Sequence, residues 1–203
     1  MRKLFYLRDH MLEYLLQIDR ELFLIINGCN SEFADKLMIF ISGKFSWIPF
    51  YIFLLYVMIK SVGRNMMYVI PAVLILITIC DQGSVLLFKN IFQRLRPCHE
   101  ESLKELVHTV DGNCGGDFGF ISSHAANTMS LSVFLFLFLK KKFGTISFLI
   151  FLFPFIVSYS RVYLGTHYPG DVLCGMVLGG LIGYLFYLVT IWIIHLEKDK
   201  HNK

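Results

Sequence analysis

Charge is scarce in this chain. Asp, Glu, Lys and Arg make up 17% of its 203 residues, against about 25% in an ordinary soluble domain. The chain also lacks internal repeats and low-complexity tracts. No apolar stretch with a small-residue cleavage site follows the basic start "MRKLFYLRDH". The shortage of charge argues against a water-soluble globule, and the bare N-terminus predicts no removable signal peptide.

What is present fits a membrane. Hydrophobic residues reach 56%, with twenty Phe and ten Tyr, too many to hide in one small core. Mean hydropathy is +0.60, and the apolar residues come in blocks rather than at amphipathic spacing. The composition predicts a polytopic membrane protein, residues 1–203 forming one integral-membrane domain of the all-α class. A net charge of +4 and a pI near 8.8 then reflect membrane topology, not nucleic-acid binding.

A spanning helix needs about 20 mostly apolar residues. Met66 to Phe88 and Val172 to Ile194 meet that length. Thr128 to Leu139 and Ile146 to Tyr159 reach it with their flanks, and "KKKFG" between them reads as the turn of a helical hairpin. Leu37 to Ile59 is a further span, interrupted by Ser42, Gly43 and Lys44. Within an amphipathic N-terminal region of residues 1–30, residues 11–27 mix Leu, Ile and Phe with Glu13, Asp19, Arg20 and Glu21. An interfacial helix fits them better than a span. The count is five crossings, or six if this region also crosses.

Crossing one span at a time puts Lys60 and Arg64, Lys140 to Lys142, and Lys198, Lys200 and Lys203 on one side. Short-loop Lys and Arg favour the cytoplasm. The other face, extracytoplasmic, then receives the long connection 89–123 and the 160–171 connection. The N-terminal basic residues obey the rule with six spans and break it with five.

Three polar motifs meet on that outer face. "KNIFQRLRP" carries Lys89 and Arg96 seven residues apart, nearly two helical turns, so both cations are expected on one helix face, with Pro97 near its end. "SSHAAN" places Ser122, Ser123 and His124 at a helix start, where free N–H groups and the helix dipole attract anions. "SRVYLGTHYPGD" carries Arg161, His167 and Asp171. Pro169 suits the first turn of the next helix, which sets His167 at its mouth with Asp171 four residues on. A carboxylate holding one imidazole nitrogen leaves the other free to attack. Each motif alone has an ordinary structural explanation: lipid-headgroup contact, an N-cap, a self-satisfied ion pair. Together they assemble guanidiniums that match phosphate oxygens with two histidines for nucleophile and general acid.

These residues resemble the three-part signature of the type 2 phosphatidic acid phosphatase superfamily, K-x6-RP, P-S-G-H and S-R-x5-H-x3-D. Lys89, Arg96 and Pro97 match the first part, and Ser160, Arg161, His167 and Asp171 the third. Ser122, Ser123 and His124 match the second, with Ile121 for Pro and Ser123 for Gly. The resemblance covers about residues 60–195. It implies a bundle of five or six membrane helices with an interfacial active site, and metal-independent hydrolysis without a cofactor. It further implies His167 as the nucleophile oriented by Asp171, and His124 as the proton donor to the leaving oxygen. Lys89, Arg96, Arg161 and the Ser122–Ser123 backbone would hold the phosphate. No carboxylate cluster on the outer face has the spacing of a two-metal site.

The implied partners are membrane lipids and a phosphorylated lipid substrate, with no nucleic acid. Undecaprenyl diphosphate, lipid A phosphates, phosphatidylglycerophosphate and phosphatidate are all candidates. A short-looped chain of this size suggests a bacterial inner membrane. The rival from another class is a non-enzymatic lipid-binding or transport protein reusing the fold, whose mark would be loss of a catalytic His or Asp. Vanadate haloperoxidases share the site architecture but are soluble. Asp81, inside the Met66–Phe88 span, fits a packing hydrogen bond or a substrate role equally. Cys98 and Cys114 are placed to pair in an oxidising compartment, and Gly175, Gly179, Gly180 and Gly183 allow close helix packing.

Overall fold

The computed structural model describes residues 2–110, 112 and 114–201; Lys203, one of the C-terminal lysines above, lies outside them. Among the described residues the protein is all-helical apart from one isolated bridge, Leu95 to Phe118.

Helix α1 runs Arg2–Gly28 and so begins well before residue 11. Phe23 and Asn27 are fully buried while Leu12, Tyr14 and Ile25 are exposed. Asp19, Phe23 and Asn27 recur every four residues and therefore share one face. That face docks on the rest of the molecule: Asn27 Nδ2 donates to the carbonyls of Tyr163 (2.7 Å) and His108 (2.8 Å).

Helix α2 (Glu32–Ser42) starts at Ser31, whose hydroxyl accepts from the N–H of Ala34 at 3.3 Å, and it stops at Gly43. The interruption expected at Ser42, Gly43 and Lys44 within Leu37 to Ile59 is thus a full break between two helices. Gly43 is extended, Trp47 Nε1 donates back to the carbonyl of Ile41 at 2.7 Å, and a proline enters the first turn of α3 (Ile48–Val62). Helix α2 packs on α7 (Leu152–Tyr163), where the Tyr163 hydroxyl donates to Asp35 at 2.7 Å.

Three stretches are long and apolar enough to cross a membrane: Ile48–Phe92, Ser123–Tyr163 and Pro169–Lys200. The first two run to 45 and 41 residues, about twice one crossing, and each is broken by a glycine at positive φ. After α3, Gly63 (φ 58°) leads into α4 (Met66–Gly83), which continues through a π-helical segment, Ser84–Lys89, into α5 (Asn90–Phe92). After α6 (Ser123–Phe143), Gly144 (φ 55°) opens a 3₁₀ segment that leads into α7. The three lysines of "KKKFG" close α6, and the reversal falls on its glycine. Lys142 Nζ donates to the carbonyl of Lys60 at 2.7 Å, which sets two of the basic clusters at one end of the bundle.

Helix α6 is the hub, contacting α3, α4, α7 and α8 (Pro169–His201). Two of its buried hydroxyls are satisfied within the helix, Thr128 donating to the carbonyl of His124 at 2.8 Å and Ser130 to that of Asn127 at 3.0 Å, while Ser132 reaches across to the carbonyl of Ile150 at 3.3 Å. Leu54, Met58, Val69, Leu76, Phe134 and Leu135 form the core beside it. Inside a bilayer no water drives this association, so close packing and hydrogen bonds carry it. Along α8, a Cβ at Gly175 would lie 2.6 Å from the Ser122 carbonyl oxygen; Gly179 meets Ala126 and Gly183 meets Ser130 in the same way. The two series rise together by fours, so α6 and α8 run parallel with both N-termini at one end. Gly180 stands apart from this seam, with ordinary clearance to Met129 and Val133.

Candidate functional site

Those two N-termini open on a cavity of about 730 Å³. Lys89, Arg96, Ser123, His124, Arg161 and His167 all line it. So do Ser42, Lys44, Asp81 and Asn127, together with the apolar Trp47, Tyr51, Ile77, Leu131, Phe153 and Val157.

Lys89 arrives on the π-helical segment, a distortion that recurs at functional sites. Its Nζ donates to Ser123 Oγ at 3.1 Å, and Ser123 also meets Ser84. Arg96 arrives differently from the sequence expectation. Gln93 takes a left-handed conformation (φ 47°) and ends the helix four residues before Pro97. Arg96 is extended, as the residue before a proline prefers, so the two cations share a cavity but not a helix face.

The backbone of Arg96 is held from outside the bundle. Its N–H donates to the carbonyl of Asp117 (2.9 Å), and the N–H of Gly119 donates to the carbonyl of Arg94 (2.8 Å). Gly119 has no room for a side chain, since a Cβ would stand 3.1 Å from Asp171 Oδ2 and 3.3 Å from Arg96 Cγ. The expected disulfide Cys98–Cys114, with Cα atoms 6.3 Å apart, closes this clamp. Closing a loop of such a size contributes about 3 kcal/mol in the chain-entropy model.

Ser122 is the N-cap of α6, its hydroxyl accepting from the N–H of Ala125 (3.5 Å). Its own N–H donates to the carbonyl of Asp171 (3.0 Å). It is fully buried and does not line the cavity. Of the backbone groups expected to hold phosphate, the Ser122 N–H is thus engaged elsewhere, while Ser123 and His124 line the cavity.

Arg161 comes from the last turn of α7 and bonds Ser42. The Nε atoms of both Arg96 and Arg161 are buried without any hydrogen-bond partner. Among the described residues no carboxylate forms an ion pair with Lys89, Arg96 or Arg161. Buried donors left unsatisfied are costly. A group of cations with free donors around a cavity is built to receive a multivalent anion.

His167 is 1% exposed and sits just before Pro169, at the mouth of α8. Its Nδ1 lies 3.7 Å from Asp171 Oδ2 and has no hydrogen-bond partner. The direct bond expected from the four-residue spacing is not formed, because the Asp171 carboxylate is already engaged. Oδ2 accepts the N–H of Tyr168 (3.0 Å), and Oδ1 accepts Arg94 Nη1 (2.7 Å). Burial, then the positive charges of Arg96, Arg161 and Lys89, holds the His167 imidazole well below its ordinary pKa, against a smaller upward pull from the Gly119 backbone. That direction favours the neutral ring at physiological pH. Burial likewise lowers the Arg96 guanidinium, offset in part by Asp171 and Asp117.

Sequence reasoning missed Arg94 and Asp19. Arg94 Nη2 donates to Asp19 Oδ2 at 2.7 Å, while the N–H of Gly170 donates to Asp19 Oδ1 at 2.6 Å. Burial disfavours the Arg94 charge, but Asp171 and Asp19 outweigh it and raise its pKa. The available signal was the mixed face of α1, where a carboxylate, a phenyl ring and a carboxamide recur at helical spacing.

Several known proteins resemble this chain. It is 40% identical to the lipid A 4'-phosphatase of Bacteroides thetaiotaomicron over 89% of its own length and 80% of that protein. It is 36% identical to the lipid A 4'-phosphatase of Porphyromonas gingivalis, over 89% and 76%. The fold matches the crystal structure of a PAP2 type phosphatidylglycerolphosphate phosphatase from Bacillus subtilis with a TM-score of 0.64 at 21% identity, covering 85% of this chain and 84% of that one. Aquifex aeolicus LpxE matches with a TM-score of 0.54 at 22% identity, over 82% and 92%. The PAP2 superfamily model matches residues 68–194, which hold every motif around the cavity. The chain belongs to the PAP2 superfamily.

Proposed function

We propose that the protein is a lipid phosphatase that hydrolyses a phosphate monoester on a glycolipid of the lipid A type, through a phosphohistidine at His167. The observation that carries this reading is the set of Lys89, Arg96 and Arg161, unpaired with carboxylates, around a cavity that also holds His124 and His167. Phosphoryl transfer asks mainly for positioning and charge stabilisation, and this cavity supplies both.

His167 Nδ1 faces Asp171, so Nε2 carries the attacking lone pair. As the Nε2–P bond forms, the P–O bond to the lipid breaks and its electron pair goes to the leaving oxygen. His124, protonated, gives that oxygen a proton. Water then attacks phosphorus, His124 takes a proton from it, and the P–N bond breaks to release phosphate and neutral His167.

The substrate class rests on two supports. Two relatives, 40% and 36% identical over 89% of this chain, are named lipid A 4'-phosphatases. Within the cavity, the Asp81 carboxylate meets Asn127 Nδ2 at a long 3.4 Å. A carboxylate at membrane depth is expensive and calls for a functional reason. Sugar hydroxyls and amides are donors that suit it, whereas a second phosphate would be repelled.

The site lies opposite the end where Lys60 and Lys142 meet. With those lysines cytoplasmic, the active site opens on the extracytoplasmic face of a bacterial inner membrane.

Phosphate release from purified lipids tests the whole reading. The panel is a glucosamine-disaccharide 4'-phosphate lipid, undecaprenyl diphosphate, phosphatidylglycerophosphate and phosphatidate, each assayed with chelator present. The expected result is the highest kcat/KM on the glycolipid, unaffected by chelator and inhibited by vanadate. Preference for the diphosphate would overturn the substrate assignment, and no release from any lipid would overturn the hydrolase itself.

A further inference from the structure

We propose that Asp19, on the N-terminal helix, is a positioning residue of the active site that acts through Arg94 on Asp171 and His167. This inference rests on the hydrolase reading above for its kinetic consequences only.

The geometry is a relay of charged groups. Arg94 bridges two carboxylates with its two terminal nitrogens, Asp171 at 2.7 Å and Asp19 at 2.7 Å. Fork geometry makes such pairs strong and directional. Asp171 is fully buried, and the Asp19 side chain is 13% exposed, so water screens neither well. Asp19 uses its second oxygen on the N–H of Gly170 at 2.6 Å, in the first turn of α8. A carboxylate there satisfies an orphan donor and opposes the positive end of the helix dipole. Asp19 thus caps α8 from a different helix, at the turn that carries Asp171.

Aromatic packing fixes the same segment. The Tyr168 ring lies under the Arg94 guanidinium, 4.1 Å from it, and Phe23 meets Tyr168 edge-on at 5.4 Å. Helix α1 therefore grips residues 168–171 through Asp19 and Phe23. His167 is the residue just before that grip.

The charge balance gives Asp19 a measurable signature. The charged groups acting on His167 are Arg96 from the segment after α5, Arg161 from α7 and Lys89 from the π-helical segment, with His124 from α6 in the same cavity and Asp171 from α8 at 3.7 Å. Arg94 reaches His167 only through Asp171. Asp19 neutralises Arg94 from behind. Replacing it with Asn keeps an oxygen for the Gly170 N–H but sets an amide against Arg94 and leaves that cation shared with Asp171 alone. The added net positive charge behind Asp171 disfavours protonation of His167, so its titration moves to lower pH.

The test uses the full-length protein in detergent micelles. In D19N, kcat should fall tenfold or more while KM changes less than about threefold, and the acid limb of kcat/KM should move to lower pH. D19E, which keeps the charge, should recover much of kcat. N27A removes a different α1 contact and should lower thermal stability without moving the pH profile. Histidine-labelled NMR gives a readout that needs no turnover: the His167 titration should move down in D19N even if no tested ester is a substrate. If D19N does not accumulate, G170A replaces it, because a Cβ there would come within 2.8 Å of Asp19 Oδ2 and push it off Arg94. A wild-type titration of His167 and a wild-type kcat in a folded variant would overturn the proposal. So would a loss confined to KM, or a pH shift shared by N27A.

Discussion

The N–H of Ser122 donates to the carbonyl of Asp171 at 3.0 Å, tying the start of α6 to the first turn of α8. The two helix mouths that supply His124 and His167 are thereby held as one unit. Below that bond the parallel seam continues through Gly175, Gly179 and Gly183, where α8 lies against the backbone of α6.

Gly179 makes the seam testable. A methyl group there would collide with the Ala126 carbonyl, which belongs to the α6 backbone and cannot rotate away. Gly179→Ala should cost about 1–3 kcal/mol, the usual range for overpacking, and should lower activity by shifting one histidine against the other. Gly180→Ala, with its nearest neighbour 3.8 Å away, should stay within about 0.5 kcal/mol. Thermal unfolding in a single detergent compares them. Equal behaviour of the two variants would contradict the parallel packing.

Electrostatics at the site predict a signed pH effect. Burial lowers the His167 pKa first, and Arg96 adds the largest push from charge. With His167 as the proposed nucleophile, wild-type activity should be lost only when pH falls well below about 6.5, the ordinary imidazole value. Arg96→Gln removes one cation, so His167 binds its proton more readily. The acid limb of kcat/KM should then move to higher pH, on top of an overall loss from weaker phosphate binding. A pH profile of unchanged shape in Arg96→Gln would sink the assignment of that limb to His167.

Much of this site was legible because its chemistry is concentrated in short motifs. Lys89, Arg96, Ser123, His124, Arg161 and His167 reach one cavity, and residue type and order announced them. The geometry behind the motifs was less legible. Spacing alone put Lys89 and Arg96 on one helix, but a left-handed Gln93 ends it early, and no residue preference of Gln signals that conformation. Four residues' separation put Asp171 within reach of His167, but Arg94 and the Tyr168 N–H take the carboxylate. Asp19 lies 75 residues from Arg94, and a carboxylate on an amphipathic helix reads as solvent-facing. The interruption of Leu37 to Ile59 was legible in Ser42, Gly43 and Lys44, whereas the Trp47 hydrogen bond that fixes the break was not. Pairwise contacts across a fold are what a single sequence conceals.

Asp81 gives a prediction about selectivity. It and Asn127 line the cavity, and Asn127 Oδ1 has no partner. Asp81→Leu should lower the ratio of kcat/KM for the phosphorylated glycolipid to that for undecaprenyl diphosphate by tenfold or more. Two effects add: a lost acceptor for sugar donors, about 1.5–3 kcal/mol for a charged partner, and relief of repulsion on the second phosphate. A ratio unchanged from wild type would show that Asp81 serves only helix packing.

The division of labour between the histidines follows from their surroundings. His167 is buried, neutral and backed by Asp171 across 3.7 Å. His124 is exposed to the cavity in the first turn of α6, open enough to meet both a leaving oxygen and a water. These surroundings support the proposed roles, attack on phosphorus by His167 and proton transfer by His124. His167→Ala should abolish both turnover and any covalent phosphoenzyme. His124→Ala should lose the general-acid contribution, about 10²–10⁴-fold, and should lose much less with a leaving group that needs no proton, such as p-nitrophenolate. Asp171→Asn should impair attack while leaving phosphate binding largely intact, since Arg96, Arg161 and Lys89 are untouched. Acid-quenched labelling locates the phosphate directly. Label on His124, or undiminished label in His167→Ala, would reverse the two roles and with them the direction of every proton transfer proposed for this site.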